Sequence, residues 1–360
     1  MQTDLFPTLD TPALLVDLDI LERNLDRMRD ALQGTACGIR PHFKSHRISA
    51  ISRRQIERGA HGITCAKLGE AERLASLGFD DLLVANELVG PHKWRRLAAL
   101  AGRRRVLCGM DNLEVAQAIA AAAREAGTEV GFLLDLNAGL NRCGIAPGPG
   151  AVELATRMAA LPGLRFRGLM AYEGHAVLMG PAEKEAECRE AMARVAETAQ
   201  HCRDAGLPVE IISAGGTGTW DVTRRCPGVT ELQAGTYALM DILFREGAGA
   251  QFDYACTVLT TVISRPTADR AVTDGGKKAI HPSFGMPYAV GWEGVEVQGL
   301  HSEHGVLGVS GAAQQLRVGD RVQFIPRYVE GTTNLYARAW AVRGGAVVEE
   351  WPVDGRDCSQ

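Results

Sequence analysis

The chain has 360 residues, 46% hydrophobic and 23% charged, with a net charge of −4 at pH 7. That balance belongs to an ordinary globular protein, long enough for one large barrel with an addition or for two domains. With no block of basic residues it argues against a nucleic acid or an anionic membrane surface as the main partner.

Met1-Gln2-Thr3-Asp4-Leu5-Phe6 has no signal-peptide pattern and no later apolar run reaches the length of a membrane span, so a cytoplasmic location is expected. The nine cysteines are scattered singly without a C-x-x-C pair. They indicate neither a disulfide framework nor a zinc knuckle, and most read as small buried hydrophobes.

In chain order, Thr11 to Leu18 (TPALLVDL) reads as a strand and Asp19 to Leu32 carries apolar residues at helical spacing. Candidate strands then end at Phe43, Ala66, Ala85, Gly109, Leu136, Tyr172, Ala214 and Gly235. Helical patterns lie between most of them, among them Leu68 to Leu77, Leu113 to Ala126, Ala151 to Ala160 and Ala182 to Ala205. Alternation at this spacing predicts parallel strands with covering helices, and eight units favour a closed TIM-type (β/α)8 barrel over an open doubly wound sheet.

From Phe252 onward the texture changes to short alternating runs, such as Cys256–Ser264, Ala271–Asp274, Arg321–Ile325 and Ala337–Val342. These predict a C-terminal β-rich domain. The expected division is a barrel over residues 20–245 and a β-domain made of 1–19 plus 246–360, with TPALLVDL pairing into the C-terminal sheet.

Working residues of a barrel gather at the C-terminal ends of its strands. Lys44, in Arg40-Pro41-His42-Phe43-Lys44-Ser45-His46, falls just past the first. Barrel walls would strip its water and favour the free amine that attacks a carbonyl, although the residues alone favour a surface lysine with Ser45 as a helix cap. Ser213-Ala214-Gly215-Gly216-Thr217-Gly218-Thr219, after the seventh strand, combines close-set backbone N–H groups with hydroxyls and suits a phosphate. Arg142 and His175 also follow strands. Arg142 reads either as a partner of a cofactor ring or as a satisfier of loop carbonyls, and His175 either as an acid–base group or as a strand-end cap.

Taken as an ordered series, TPALLVDLD, RPHFKSH, GITCAKLGEAERLASLG, LNAGLNRCGI, GLMAYEGH, SAGGTGTW, ELQAGTYALMD, DGGKKAIHPSFGMP, HSEHG and VGDRVQFIPRYVEGTTNLY resemble the D-threonine aldolase and D-serine dehydratase family. These are D-specific relatives of alanine racemase among fold-type III pyridoxal phosphate enzymes. The resemblance implies pyridoxal 5'-phosphate held by Lys44 as a Schiff base, with Gly215, Gly216 and Thr217 on its phosphate and Tyr172 and Arg142 beside its ring. It further implies Gly235, Thr236 and Tyr237 as cofactor contacts, His175 near the reacting centre, and a homodimer acting on a small amino acid.

One segment departs from the pattern. Where the family carries histidine, one residue, then cysteine or aspartate as a zinc- or manganese-binding pair, this chain has Tyr328 and Glu330. A neutral phenol beside a single carboxylate makes a poor site, so no metal ligand is assigned, although Glu330 with His281, His301 or His304 could form a different one. The expected activity is a lyase cleaving or dehydrating D-3-hydroxy amino acids with Lys44, His175 and Tyr328 as catalytic groups. The alternatives are an amino-acid racemase using Lys44 and Tyr328, and a non-catalytic cofactor-binding protein.

Overall fold

The structure is a computed structural model that describes residues 5–360. The chain forms two compact units: one of residues up to Arg27, Ser45–Ile51 and Thr236–Arg356, and a second of Met28–Lys44, Ser52–Gly235 and Asp357–Gln360.

Strand β1 (Ala13–Asp17) opens the first unit. The second holds eight parallel strands: β2 (Gly38–Ile39), β3 (Ile63–Cys65), β4 (Asp81–Val84), β5 (Arg105–Met110), β6 (Val130–Leu136), β7 (Leu164–Ala171), β8 (Ile211–Ala214) and β9 (Glu231–Leu232). They pair in the order β2-β9-β8-β7-β6-β5-β4-β3, and a parallel bridge between His42 and Thr64 joins the two ends. The sheet therefore curls into the barrel that the alternation predicted.

Helices follow most strands, and local chemistry sets their starts. Gly-Pro pairs place proline in the first turn at Pro91, Pro149 and Pro181, where a missing N–H costs nothing. Asn112 caps Leu113–Glu125 by accepting from the Val115 N–H at 3.1 Å.

β2 stops at Ile39, short of the predicted Phe43, because Pro41 cannot donate to a ladder and Phe43–Ser45 turns into a 3₁₀ helix. Leu83, Leu107, Leu133 and Met170 form one buried cluster. Gly109 faces Met170 so closely that a Cβ there would lie 2.7 Å from the methionine Cε. Strand side chains alternate, so two residues further on Asp135 and Tyr172 point the same way at the C-terminal ends of β6 and β7.

The opposite end of the barrel is held by charge. Arg40 is 3% exposed and donates Nε to Glu231 at 2.9 Å and Nη1 to Asp81. Burial alone would raise the Glu231 carboxyl, but hydrogen bonds and charge from His61, Arg40 and Ser213 hold it down to about 2.

In the first unit β1 pairs antiparallel with β10 (Cys256–Thr267) and parallel with β16 (Arg338–Arg343), as the TPALLVDL reading expected. The remaining strands are β11 (Arg270–Thr273), β12 (Tyr288–Ala289), β13 (Val295–Leu300), β14 (Gly305–Val309), β15 (Arg321–Ile325) and β17 (Ala346–Pro352). β10 pairs with β1 and β15 over its first half and with β11 over its second, where the ladder shifts register at Val262/Ser264 and Ser264/Thr267. Phe6, Leu9, Ala13, Leu15, Leu259 and Val342 pack together beside it. Leu15 and Leu259, at 1% and 0% exposure, are each worth about 1.5–3 kcal/mol.

These divisions fall at different residues from the expected 19/20 and 245/246. Asn24 donates to the Ala238 and Asp253 carbonyls, and the Ile242 and Leu243 N–H groups donate to Pro326 and Arg327. Those bonds tie residues 20–27 and 236–245 to the β-rich unit.

Candidate functional site

The second unit gathers four strand-end segments at one face, since parallel strands finish together. Lys44 lies half-buried in the turn after β2.

After β6 the chain doubles back. The Asn137 N–H donates to the Ile145 carbonyl at 2.9 Å and the Ile145 N–H to the Asp135 carbonyl at 3.0 Å. The Asn137 Oδ1 accepts from the Gly139 and Asn141 N–H groups at 3.1 Å, an Asx turn. Gly144 adopts φ +93° and donates to Asp111 Oδ2 at 3.0 Å. A Cβ there would meet the Asn137 nitrogen at 2.6 Å, so only glycine closes this loop.

The loop carries Arg142, whose guanidinium lies 5.8 Å over the Tyr172 ring. Tyr172 in turn abuts the turn after β8. Gly215 adopts φ +73°, and a Cβ on Gly216 would stand 2.9 Å from Tyr172 Cε2 and 3.2 Å from its hydroxyl. The Gly216 N–H donates to Thr219 Oγ1 at 3.2 Å, and Thr217 is 3% exposed. Backbone without side chains, walled by an aromatic ring and hydroxyls, suits a phosphate with an attached ring.

His175 sits on Gly139, where a Cβ would be 2.5 Å from its Cε1. Its Nε2 meets Glu187 Oε1 at 2.9 Å. Its Nδ1 is buried with no hydrogen-bond partner among the described residues. An imidazole fixed by a carboxylate at one nitrogen, with the other unpartnered among the described residues, has the form of an oriented acid–base group.

Three acidic side chains lie at the C-terminal ends of β4, β5 and β6: Glu87 and Asp111 after the first two, and Asp135 within β6 just before its last residue, Leu136. Burial, then the hydrogen bond and charge of Glu87 and the charge of Asp111, push the Asp135 carboxyl up to about 8, against the pull of Arg142. Glu173, 0% exposed, accepts from Thr223 Oγ1 while its Oε2 is buried with no partner among the described residues.

The β-rich unit holds a separate group. Glu330 Oε1 accepts from Ser45 Oγ at 3.0 Å and Thr236 Oγ1 at 3.3 Å, and Oε2 from the Tyr328 phenol at 3.4 Å. Burial, then the charge and hydrogen bond of Glu330, push Tyr328 up to about 12. Thr236 and Tyr237, expected at the cofactor, belong to this unit. The Thr236 hydroxyl is engaged by Glu330, and Tyr237, 2% exposed, packs its ring 5.5 Å from Phe252. Gly235 ends the barrel unit.

His301 and His304 are exposed. Among the described residues no three His, Cys, Asp or Glu side chains gather where they could hold a metal ion.

The sequence reading missed Glu187, the carboxylates at 87, 111 and 135, and the roles of Ser45 and Thr236. A signal existed for the carboxylates, since acidic residues recur at successive strand ends. Nothing local marks Glu187, which sits among other acids on the helix Pro181–Asp204.

Comparison with known proteins gives two family matches: "Alanine racemase, N-terminal domain" over residues 16–241 and "Putative serine dehydratase domain" over residues 255–342. The chain is 34% identical to a D-threonine aldolase of an Arthrobacter species, covering 98% of this chain and 94% of that one. It is also 34% identical to a 3-hydroxy-D-aspartate aldolase of Paracoccus denitrificans (strain Pd 1222), covering 97% and 92%. The crystal structure of D-threonine aldolase from Filomicrobium marinum matches with a TM-score of 0.93 at 36% identity, over 98% of this chain and 97% of that one.

Proposed function

The chain belongs to the family of D-threonine and 3-hydroxy-D-aspartate aldolases, lyases of the alanine racemase fold type, and from that premise we propose that it cleaves D-3-hydroxy amino acids to glycine and an aldehyde. Pyridoxal 5'-phosphate is the cofactor expected of this fold type, and the barrel residues fit it. Gly216 leaves only backbone beside the Tyr172 ring, Arg142 covers that ring, and the His175 Nδ1 is buried without a hydrogen-bond partner among the described residues.

Lys44 would hold the cofactor's carbonyl carbon, Gly215, Gly216 and Thr217 its phosphate, and Tyr172 and Arg142 its ring. When bound, the group supplies a carbonyl for the substrate amine and an electron sink for the bond broken at Cα. This chain's residues supply the proton transfers. His175 takes the β-hydroxyl proton at Nδ1 while Glu187 holds Nε2 and stabilises the imidazolium that forms. The Cα–Cβ bond breaks, the aldehyde leaves with the former hydroxyl oxygen, and Cα gains one proton to give glycine, balanced by the proton taken by His175.

The observation that supports this reading most directly is the Glu187–His175 pair seated on Gly139, because aldol cleavage requires a base for a hydroxyl proton. The match of residues 255–342 to a serine dehydratase domain favours dehydration to a keto acid and ammonia as the second reading. Racemisation is disfavoured by Tyr328, since a phenol pushed up to about 12 and donating to Glu330 is a weak base at neutral pH. A cytoplasmic homodimer acting on a free amino acid completes the reading, and light scattering of the purified protein checks the subunit number.

The test is product analysis with D-threonine and D-3-hydroxyaspartate, alongside Lys44→Ala. Glycine with aldehyde supports aldol cleavage, and a keto acid with ammonia supports dehydration. Turnover of alanine to its mirror image with neither product set refutes the lyase. Lys44→Ala should lose the bound-cofactor absorbance as well as activity.

A further inference from the structure

The family resemblance places metal ligands at Tyr328 and Glu330, and the donor set found there does not fit a divalent cation. A metal ion needs lone pairs aimed at one point. Three hydroxyls already point their hydrogens at the Glu330 carboxylate: Ser45 and Thr236 at Oε1, and Tyr328 at Oε2. Ser45 and Thr236 are 1% and 2% exposed, so neither is a passing surface contact. They also lie 3.3 Å from each other.

The neighbouring histidine offers no substitute. His281 Nδ1 accepts from the Ser283 N–H at 3.3 Å, which leaves the proton of a neutral ring on Nε2. Its ring instead packs edge-on against Tyr328, with centroids 5.5 Å apart, and Phe284 packs the same way at 5.2 Å. A Cβ on Gly331 would sit 2.5 Å from His281 Cγ and 2.8 Å from Tyr328 Cδ1, so the rings rest on bare backbone. Asp241 Oδ2 accepts from the Val329 N–H at 3.0 Å and fixes the start of the short helix carrying Glu330. Every part of the arrangement holds the phenol and the carboxylate in place, and none opens a coordination sphere.

We propose that Tyr328 and Glu330, with Ser45 and Thr236, form a hydroxyl-carboxylate cluster in place of a divalent-metal site, so that this lyase acts without a metal. Glu330 is the positioning residue: its carboxylate accepts three hydrogen bonds and fixes the phenol with its hydrogen on Oε2. The inference rests on the lyase reading for its catalytic meaning, but its structural content does not depend on which bond is cleaved. The chemistry gives up Lewis-acid polarisation of an oxygen in exchange for a phenol oxygen that, with its hydrogen held by Glu330, can accept a hydrogen bond from a hydroxyl.

The experiment uses the cofactor-loaded protein after exhaustive chelation. Equilibrium dialysis against manganese or zinc should find no stoichiometric metal, and turnover of D-threonine should not change on adding either ion. One equivalent of tightly bound metal that Glu330→Gln abolishes, or activity lost on chelation and restored by metal, would overturn the proposal.

Glu330→Gln keeps the size and removes the charge. It should lower kcat by about tenfold to a hundredfold with little change in KM, the loss expected for a hydrogen bond to a charged group. It should also move the Tyr328 phenol titration downward in ultraviolet difference spectra, with Tyr328→Phe identifying that transition. An unmoved titration would refute the hydrogen-bonded cluster. Protein that binds no metal, shows the titration shift and yet cleaves no D-3-hydroxy amino acid would sink the lyase reading while supporting the cluster.

Discussion

Gly216→Ala is the sharpest probe of the proposed cofactor cradle. Gly216 is not among the glycines with positive φ, so alanine fits its backbone and the only new feature is the methyl. That methyl would stand 2.9 Å from Tyr172 Cε2 and 3.2 Å from the phenol oxygen, closer than carbon atoms rest. The ring cannot easily retreat. On its other edge the Gly174 backbone is so near that a Cβ there would lie 2.4 Å from Cε1, and Arg142 lies over the face at 5.8 Å.

Overpacking of this kind costs about 1–3 kcal/mol. If the loop and ring are the cradle, that cost appears as a cofactor Kd raised by about 5- to 150-fold. Apoprotein titrated with pyridoxal 5'-phosphate by fluorescence gives the Kd, and thermal unfolding of the same apoprotein reports any general loss of stability. A Kd within about twofold of wild type, in a variant with unchanged unfolding, would refute the assignment of Gly216 and Tyr172 to the cofactor.

Arg40→Met should cost about 3–5 kcal/mol, because it leaves the Glu231 and Asp81 carboxylates unpaired in or near the core. The folded Glu231 carboxyl lies at about 2 against an ordinary 4.5, so its stabilisation is present above pH 4.5 and lost as pH falls through 2. Urea unfolding should therefore show the largest deficit at neutral pH and a narrowing gap in acid, and a deficit independent of pH would contradict it.

Asp135 is shifted the other way, from 3.8 to about 8, so its contribution is present below pH 3.8 and lost as pH rises through 8. Asp135→Asn, permanently neutral, should unfold no lower than wild type at pH 9, and a lower melting temperature there would argue against a protonated carboxyl. Glu187→Gln should reduce kcat on D-3-hydroxy substrates by about tenfold to a hundredfold while leaving cofactor affinity unchanged. A parallel fall in affinity would mean that Glu187 serves the fold instead.

The amino-acid sequence by itself determined the barrel and the β-rich addition and marked the residues proposed for the cofactor, because each is written in short-range patterns. Eight apolar runs at β/α spacing specify parallel strands. Glycines and hydroxyls after β8 specify a close turn, and a lysine at a strand end needs no distant partner to be noticed. The tertiary structure decided what distance along the chain conceals. Glu187 meets His175 across 12 residues of turn and helix, and Ser45 reaches Glu330 across 285. Thr236, which motif order assigned to the cofactor, has its hydroxyl engaged by that same carboxylate. Residue type tells which groups can donate or accept a proton. Only the folded chain, by bringing distant segments within about 3 Å, decides which partner each one takes.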